Sequence, residues 1–302
     1  MTALARIRGA WERLSANRRK VVGINRRNLL LVYPNNPRKH YPYADDKLLA
    51  KRRFAEAGVP AAQTLAVCDG LFRVPEVVEQ LLGLEQFVVK PANGSGGEGI
   101  LVCGERVASG GWRKAGGEVL APARLQKHLA DVLFGVYSNQ LEDKAFVERR
   151  VRPHAFFEAL WADGLCDVRV ITLRGEPVMS MIRVPTAESG GRANLHQGGL
   201  GIAVDLSSGR TFRAVHHGRA VALHPESGAP LLGLQIPGWP DVLDTARRAA
   251  AAVPLGYLGI DVVVDDDAGP LVLEINARPG LEIQNVCGSG LGQALTLAQA
   301  AP

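Results

Sequence analysis

Asp261, Glu274 and Asn276 have the types and spacing that most clearly prepare chemistry in this chain, and they lie in the stretch LGIDVVVDDDAGPLVLEINARPG, residues 258–280. Two β-rich runs, 260–264 and 271–275, flank an acidic Gly-Pro turn and predict an antiparallel hairpin. With Val264 set against Leu271, Asp261 faces Glu274, and the strand period of two puts Asn276 on the same side. Opposed carboxylates destabilise a strand pair unless a cation sits between them, and an all-oxygen set suits Mg²⁺ or Mn²⁺. The pattern therefore predicts a divalent metal site; a solvated acidic edge is the alternative. Asp265, Asp266 and Asp267 in the turn are expected to be solvated.

A second set of residues suits anions. A strand predicted over residues 86–90 ends at Lys90 and is followed by PANGSGGEG and a return strand over 100–103. Gly94, Gly96 and Gly99 satisfy G-x-G-x-x-G, yet the dinucleotide fingerprint must open a helix and this one opens a β-branched run. A glycine loop between strands instead lets backbone N–H groups close around phosphates, because glycine permits close approach and positive φ; an ordinary hairpin turn is the alternative. Lys47 stands in the first turn of a helix that starts at about Asp45 and ends at Gly58. Helices prefer acids there, so Lys47 is either paired with an anion or a plain surface lysine. Glu148 is an isolated acid in a strand predicted over 145–151. Residues 189–201, SGGRANLHQGGLG, form a polar glycine-rich loop carrying Arg192, Asn194 and His196, a mixture suited to closing over a ligand.

Periodicity gives the elements that must position these groups. An amphipathic helix is expected over 122–136, a hairpin over 167–173 and 177–184 around RGE, and a helix over 241–253. Leu4, Ile7, Trp11 and Leu14 give residues 3–20 helical character, and an extended stretch with the run LLLVY follows. Residues 1–53 hold fourteen Lys or Arg against Glu12, Asp45 and Asp46, so the remainder is net acidic although the whole carries +5. That basic start is either a solvated face or a peripheral contact with an anionic surface. Nucleic acid is not expected as a partner, because no motif with interleaved aromatics accompanies the charge. No apolar run reaches the roughly 18 residues of a membrane span, and the first residues lack the apolar core of a secretory signal. Cys68, Cys103, Cys166 and Cys287 show no metal spacing and read as buried thiols of a cytoplasmic protein.

In order and spacing, DDKLLAKRRFAEAGVP, FVVKPANGSGGEGI, FVERRV, DVRV, GGRANLHQGG, LGIDVVV and LEINARPGL resemble the ATP-grasp superfamily. The closest likeness is to the α-L-glutamate ligase-like branch related to the ribosomal protein S6 modification enzyme, and it runs from about Ala44 to Gly280. The resemblance implies an α+β fold in which two lobes clasp ATP. The lobes are expected at 44–144 and 145–302, with residues 1–43 as a basic segment too short for the α/β domain that precedes the grasp in S6-type enzymes. It further implies that Lys47 and Lys90 bind phosphate and that Asn93, Gly94, Ser95, Gly96 and Gly97 belong to a flexible phosphate cover. Glu148 matches the hinge acid, with Arg149, Arg150 and Val151 completing the adenine contacts, and Asp167 matches a nucleotide contact. Because 152–166 is longer than the matching turn, Glu158 competes with Asp167 for the ribose. Arg192 and Asn194 match a loop that meets phosphates and incoming substrate. Asp261, Glu274 and Asn276 match the ligands of two Mg²⁺ or Mn²⁺ ions.

The activity implied is ATP-dependent joining of a carboxylate to an amine, on small-molecule or peptide substrates, with glutamate suggested by the resemblance alone. Arg278 is expected either to orient the substrate carboxylate or to bridge the carboxylates of the hairpin. The rival readings are a small-molecule kinase and a non-catalytic ATP-binding module.

Overall fold

A computed structural model describes the backbone of residues 20–300 apart from Ser95, Ser109, Ala115 and Gly116, and the side chains as far as Thr296. The helix expected over 3–20 and the loop residue Ser95 lie outside the described residues. The β-branched runs build two antiparallel sheets. The first consists of β1 (Thr64–Cys68), β2 (Phe87–Pro91), β3 (Leu101–Arg106), β4 (Trp112–Lys114), β5 (Val119–Leu120) and β6 (Ala145–Glu148), in the order β1-β6-β2-β3-β4-β5. Of the helices, α1 spans Lys47–Glu56, α2 spans Val74–Leu81 and α3 spans Pro122–Leu133. The amphipathic faces of α2 and α3 set Val77, Leu81, Leu125 and Leu129 against Phe87, Val89 and Cys103, which is the core of the small lobe.

The second sheet consists of β7 (Asp167–Leu173), β8 (Glu176–Val184), β9 (Leu200–Val204), β10 (Thr211–His216), β11 (Arg219–Val221), β12 (Tyr257–Asp265) and β13 (Gly269–Asn276), in the order β11-β10-β9-β8-β7-β12-β13. One face is apolar: Val168, Val170, Ile260 and Val262 pack with Val242, Ala246 and Ala249 of α4 (Trp239–Ala251). The other face is divided. At one end Ile171, Met179, Met181 and Tyr257 are covered by Leu31, Val32 and the helices α5 (Glu282–Cys287) and α6 (Leu291–Ala300). At the other end the same face carries Asp167, Arg169 and Asp261. The expected β7–β8 hairpin turns through Arg174 and Gly175, both at positive φ (53° and 89°), the two-residue geometry that matches strand twist, so Glu176 of RGE already belongs to β8.

Two expectations about organisation are corrected. Strand β6 is hydrogen-bonded between β1 and β2, so the small-lobe sheet continues to Glu148 and does not end at residue 144. Helix α1 places Ala50 and Phe54 in the large-lobe core, so it belongs there although it precedes the small lobe in sequence. The extended stretch expected before residue 43 is helical instead, through Ile24–Arg27, a wider π-type turn over Asn28–Val32, and Tyr33–Asn35. Burying Leu31 and Val32 on the sheet stabilises by about 1.5–3 kcal/mol each; Leu31 is itself a good helix former, and the gain exceeds what the weaker helix preference of Val32 costs. Asn36 then fixes the segment to the sheet, donating to the carbonyls of Tyr257 and Ala277 and accepting from Tyr257 N.

All four cysteines are buried and free, as expected. Burial pushes their thiols up, those of Cys103 and Cys287 to about 12. Among the described residues no helix is long and apolar enough to cross a membrane.

Candidate active site

The register of three adjacent strands builds one end of the site. Glu274 on β13 faces Asp261 on β12, and Asp261 faces Arg169 on β7. In the next row Asp167 faces Arg183 across β7 and β8. The Asp261–Glu274 pairing is the one expected from the sequence. Beyond it the register slips by one at Leu273, so Val264 faces Pro270 and not Leu271.

The cation beside Asp261 comes first from the protein. Asp261 is fully buried and accepts from Arg169 Nε, from Arg169 Nη2 at 2.7 Å and from Arg183 Nη2 at 2.6 Å. Arg183 also makes a two-pronged contact with Asp167, at 2.7 and 2.8 Å. Burial acts to raise the Asp261 carboxyl, but Arg169 and Arg183 hold it below the ordinary value. The Asp167 carboxyl is pushed up to about 7 by burial, with Arg183 opposing and the Asp261 charge adding. Neither arginine was assigned a role from the sequence. The alternation of Asp167 and Arg169 in DVRV, on one face of a strand, was the available signal.

The donor set fits a hard divalent ion. Glu274 and Asn276 share a side, with Asn276 Nδ2 3.4 Å from Glu274 Oε1 and 3.5 Å from Asp261 Oδ2, so both project toward the same point. Glu274 and Asn276 are half-buried and offer more accessible oxygens than the buried Asp261. Asp261 can join only with lone pairs the two arginines leave.

The other end of the site is a buried ion cluster. Glu148 ends β6 at 3% exposure, and its carboxylate is held by Lys90 from β2 and by Lys51 from α1, the latter at 2.8 Å. Burial acts to raise the Glu148 carboxyl, while Lys90 and Lys51 bring it below the ordinary carboxylate value. Lys51 was not picked out from the sequence, although it lies one turn after Lys47 on the same helix face. The N-cap of α1 is Asp46, one residue later than expected, with its side chain accepting from Leu49 N at 3.0 Å. Lys47 therefore opens the helix; its ammonium donates to the Gly94 carbonyl and its backbone N–H to Ala92 O at 3.0 Å. Burial lowers the pKa of Lys47, against the pull of Glu274.

The glycine loop spans the gap between the lobes' clusters. Asn93 is tied by its backbone and amide to Asp143, at 3.1 and 2.8 Å, and Gly99 O accepts from His128 Nε2 at 3.0 Å. Between these anchors Gly96 and Gly97 have positive φ, and a Cβ on Gly97 would lie 3.4 Å from Arg192 Cδ. Arg192 is thus brought to the loop. Asn93 serves here as an anchor, and Asp143 is a fourth residue the sequence did not flag, after Arg169, Arg183 and Lys51.

Other expected residues are not gathered into the site. Arg278 pairs with Asp45 at 3.1 Å and lies over the Tyr41 ring at 4.7 Å, so it neither bridges the hairpin carboxylates nor faces the cleft in this state. Asn194 caps its own loop, accepting from His196 N at 3.0 Å. Arg149 pairs through its side chain with Asp265 at 2.8 Å, and Arg150 reaches Gln86 at 3.3 Å. Asp265 is not solvated as expected: it is buried and accepts from Arg152 N, Asp267 N and Ala268 N, which organise the turn. Asp167 points into the arginine network, while Glu158, exposed, lines a cavity of about 300 Å³ with Arg150, Val151 and Arg152.

A glycine loop, the half-buried Lys47, the buried pair of Lys90 and Glu148 and an acidic hairpin are thus set out along two antiparallel sheets. The sugar-transfer-associated ATP-grasp family matches over residues 26–299. The chain belongs to that family. This ATP-grasp protein is similar to a probable alpha-L-glutamate ligase of Xanthomonas oryzae pv. oryzae, with 26% identity over 268 residues, 87% of this chain and 67% of the relative. A probable alpha-L-glutamate ligase of Sodalis glossinidius is 34% identical over 116 residues, 38% of this chain and 28% of the relative. The ATP-grasp chain thus spans about two thirds or less of the length of these curated relatives. In fold it is similar to a biotin carboxylase of Campylobacter jejuni, with a TM-score of 0.51 and 16% identity over 86% of this chain and 47% of the other.

Proposed function

We propose that this ATP-grasp protein is an ATP-dependent carboxylate–amine ligase. A substrate carboxylate oxygen attacks the γ-phosphorus of ATP and ADP leaves; an amine then attacks the acyl carbon of the mixed anhydride, phosphate leaves, and an amide remains. The observation that carries this reading is Lys47, whose ammonium donates to Gly94 of the glycine loop while the charges of Glu274 and Lys90 both act on it.

Phosphoryl transfer asks mainly for positioning and charge neutralisation. Lys47 and Lys90 are buried cations whose ammonium groups take phosphate oxygens when they leave Gly94 O and Glu148. Arg192, against Gly97, adds charge from the facing loop. Glu274 and Asn276, with Asp261 behind them, would hold Mg²⁺ or Mn²⁺, which would supply Lewis-acid neutralisation of phosphate charge. Val151 and the backbone after Glu148 line the adenine end, and Glu158 is better exposed than Asp167 for the ribose. The two loops, 93–99 and 189–199, keep water from the anhydride when closed. The chain functions as two lobes, 64–148 and the remainder, closing on ATP.

Glutamate is supported as acid or amine by the names of the curated relatives, and because the family is described as sugar-transfer associated, we add sugars bearing a carboxyl or amino group to the acceptors to be tried. The test is a screen for ADP and phosphate release over amino acids, short peptides and such sugars with Mg²⁺ or Mn²⁺, with mass spectrometry of the products. An amide formed in step with phosphate is expected. A stable phosphoester, with turnover indifferent to amine, refutes the ligase in favour of a kinase. Glu274→Gln is expected to lose at least 100-fold in ADP release, and full activity in that variant ends the metal assignment.

A further inference from the structure

Near the β11 edge of the large-lobe sheet, Glu188, His216 and His217 bring a carboxylate oxygen and two imidazole nitrogens within 4.8 Å of one another. Among the described residues this is the sole group of three His, Cys, Asp or Glu side chains so arranged. Its parts come from two segments. His216 ends β10, and His217 follows in the turn at a φ of 48°, a left-handed conformation uncommon outside glycine. Glu188 stands just before the loop that carries Arg192 and Asn194. His217 Nε2 lies 2.8 Å from Glu188 Oε2, and the two imidazole centroids are 4.1 Å apart.

His216 is oriented by the other end of that loop. Its Nε2 is 3.1 Å from the Gly198 carbonyl, and a carbonyl only accepts, so Nε2 carries the hydrogen and Nδ1 of the neutral ring carries a lone pair. Metal-ligating histidines are held in this manner, donating the second ring nitrogen to a backbone carbonyl. Gly198 has room for Glu188 because it lacks a Cβ, which would sit 2.7 Å from Glu188 Cδ.

We propose that Glu188, His216 and His217 form a second metal site, for a nitrogen-preferring transition ion such as Zn²⁺, and that the ion staples together the two ends of the loop bearing Arg192 and Asn194. Two imidazoles and one carboxylate, with water in a fourth position, are a zinc donor set, whereas the oxygen-only cluster at Asp261 and Glu274 suits Mg²⁺. On binding, the Nε2 proton of His217 now shared with Glu188 is released while Nδ1 takes one up from solvent, so the ring stays neutral and the Nε2 lone pair goes to the ion. Ligands about 2.0–2.1 Å from a tetrahedral ion are roughly 3.3 Å apart. The 2.8 Å contact therefore opens by a few tenths of an ångström, which two side chains 53% and 58% exposed can do. The site stands whether or not the cleft is a ligase; only the use of the loop rests on that reading.

The test is equilibrium dialysis of the metal-stripped full chain against Zn²⁺ in Mg²⁺-containing buffer. One equivalent is expected, with affinity reduced at least tenfold in His217→Ala and Glu188→Gln and kept in Glu274→Gln. Co²⁺ in place of Zn²⁺ is expected to give visible ligand-field bands that His217→Ala abolishes. Zn²⁺ is also expected to slow tryptic cleavage after Arg192 at least fivefold in the parent protein and not in His217→Ala. No binding, binding indifferent to His217→Ala and Glu188→Gln, or binding lost only in Glu274→Gln overturns the site; unchanged cleavage with Zn²⁺ bound overturns the staple.

Discussion

The two ends of the candidate active site solve one problem differently. Glu148 and Asp261 are both buried acids, and each is held by two cations. At Glu148 the cations are lysines, carried in from α1 and β2, each a point charge on a flexible stem. At Asp261 they are arginines from neighbouring strands of one sheet, and Arg169 and Arg183 each make a two-pronged contact with an acid of the network. A lysine can turn away to a phosphate at small cost, whereas a planar fork locked by cross-strand register cannot. The lysine end is therefore built to exchange partners, and the arginine end to hold Glu274 and Asn276 in place beside a fixed charge.

The sharpest way to break this contrast is to remove each acid in turn. Asp261→Ala leaves two buried guanidinium groups short of a partner and is expected to cost about 3–5 kcal/mol in urea denaturation of the ligand-free protein. Glu148→Gln keeps an amide oxygen for its lysines and is expected to cost about 1–3 kcal/mol. Equal losses from the two variants would erase the distinction.

A pH series sharpens it. The native Asp167 carboxyl sits at about 7, above its ordinary 3.8, so the folded protein holds more of this proton than the unfolded chain between those values. Its contribution to stability is full below the unfolded value and is lost as pH rises toward 7. Glu148, held below the ordinary carboxylate value, has the opposite sign: its contribution is present above the unfolded value and is lost as pH falls through the native one. Asp167→Asn is therefore expected to make the slope of stability against pH more positive between about pH 4 and 7, and the slope in Glu148→Gln less positive in acid. Coincident slopes in Asp167→Asn and the parent would show that Arg183 keeps Asp167 ionised throughout. The smallest effect is expected at the surface. Arg278→Ala, losing an exposed pair and a ring contact, is expected to cost about 0.5–1 kcal/mol, and a tenfold loss of turnover without that cost would restore Arg278 to the substrate.

Much of this site was legible because short-range rules fix it. The Asp261–Glu274 pairing follows from a turn and a period of two, and the glycine loop follows from two strands with Lys90 between them. What escaped depends on strands far apart in sequence. Arg169 acquires Asp261 only when β12 is laid beside β7, some ninety residues away, and Arg183 adds Asp261 to its hairpin partner Asp167 only then. Lys51 meets Glu148 only when α1 packs under β6, and the slip at Leu273 is a tertiary adjustment that no alternation of residues announces. The start is helical and not extended because a helical course buries Leu31 and Val32 in one cluster with Met179 and Tyr257 and leaves Leu29, Leu30 and Tyr33 exposed.

The shielded thiols have a practical corollary. Only a thiolate attacks a maleimide, and burial keeps all four native cysteines in the protonated form. A single cysteine introduced at the exposed Glu98, on the glycine loop, would then be the fast-reacting position of the whole chain. A fluorophore attached there would report loop closure in real time, against a background already silenced by the fold.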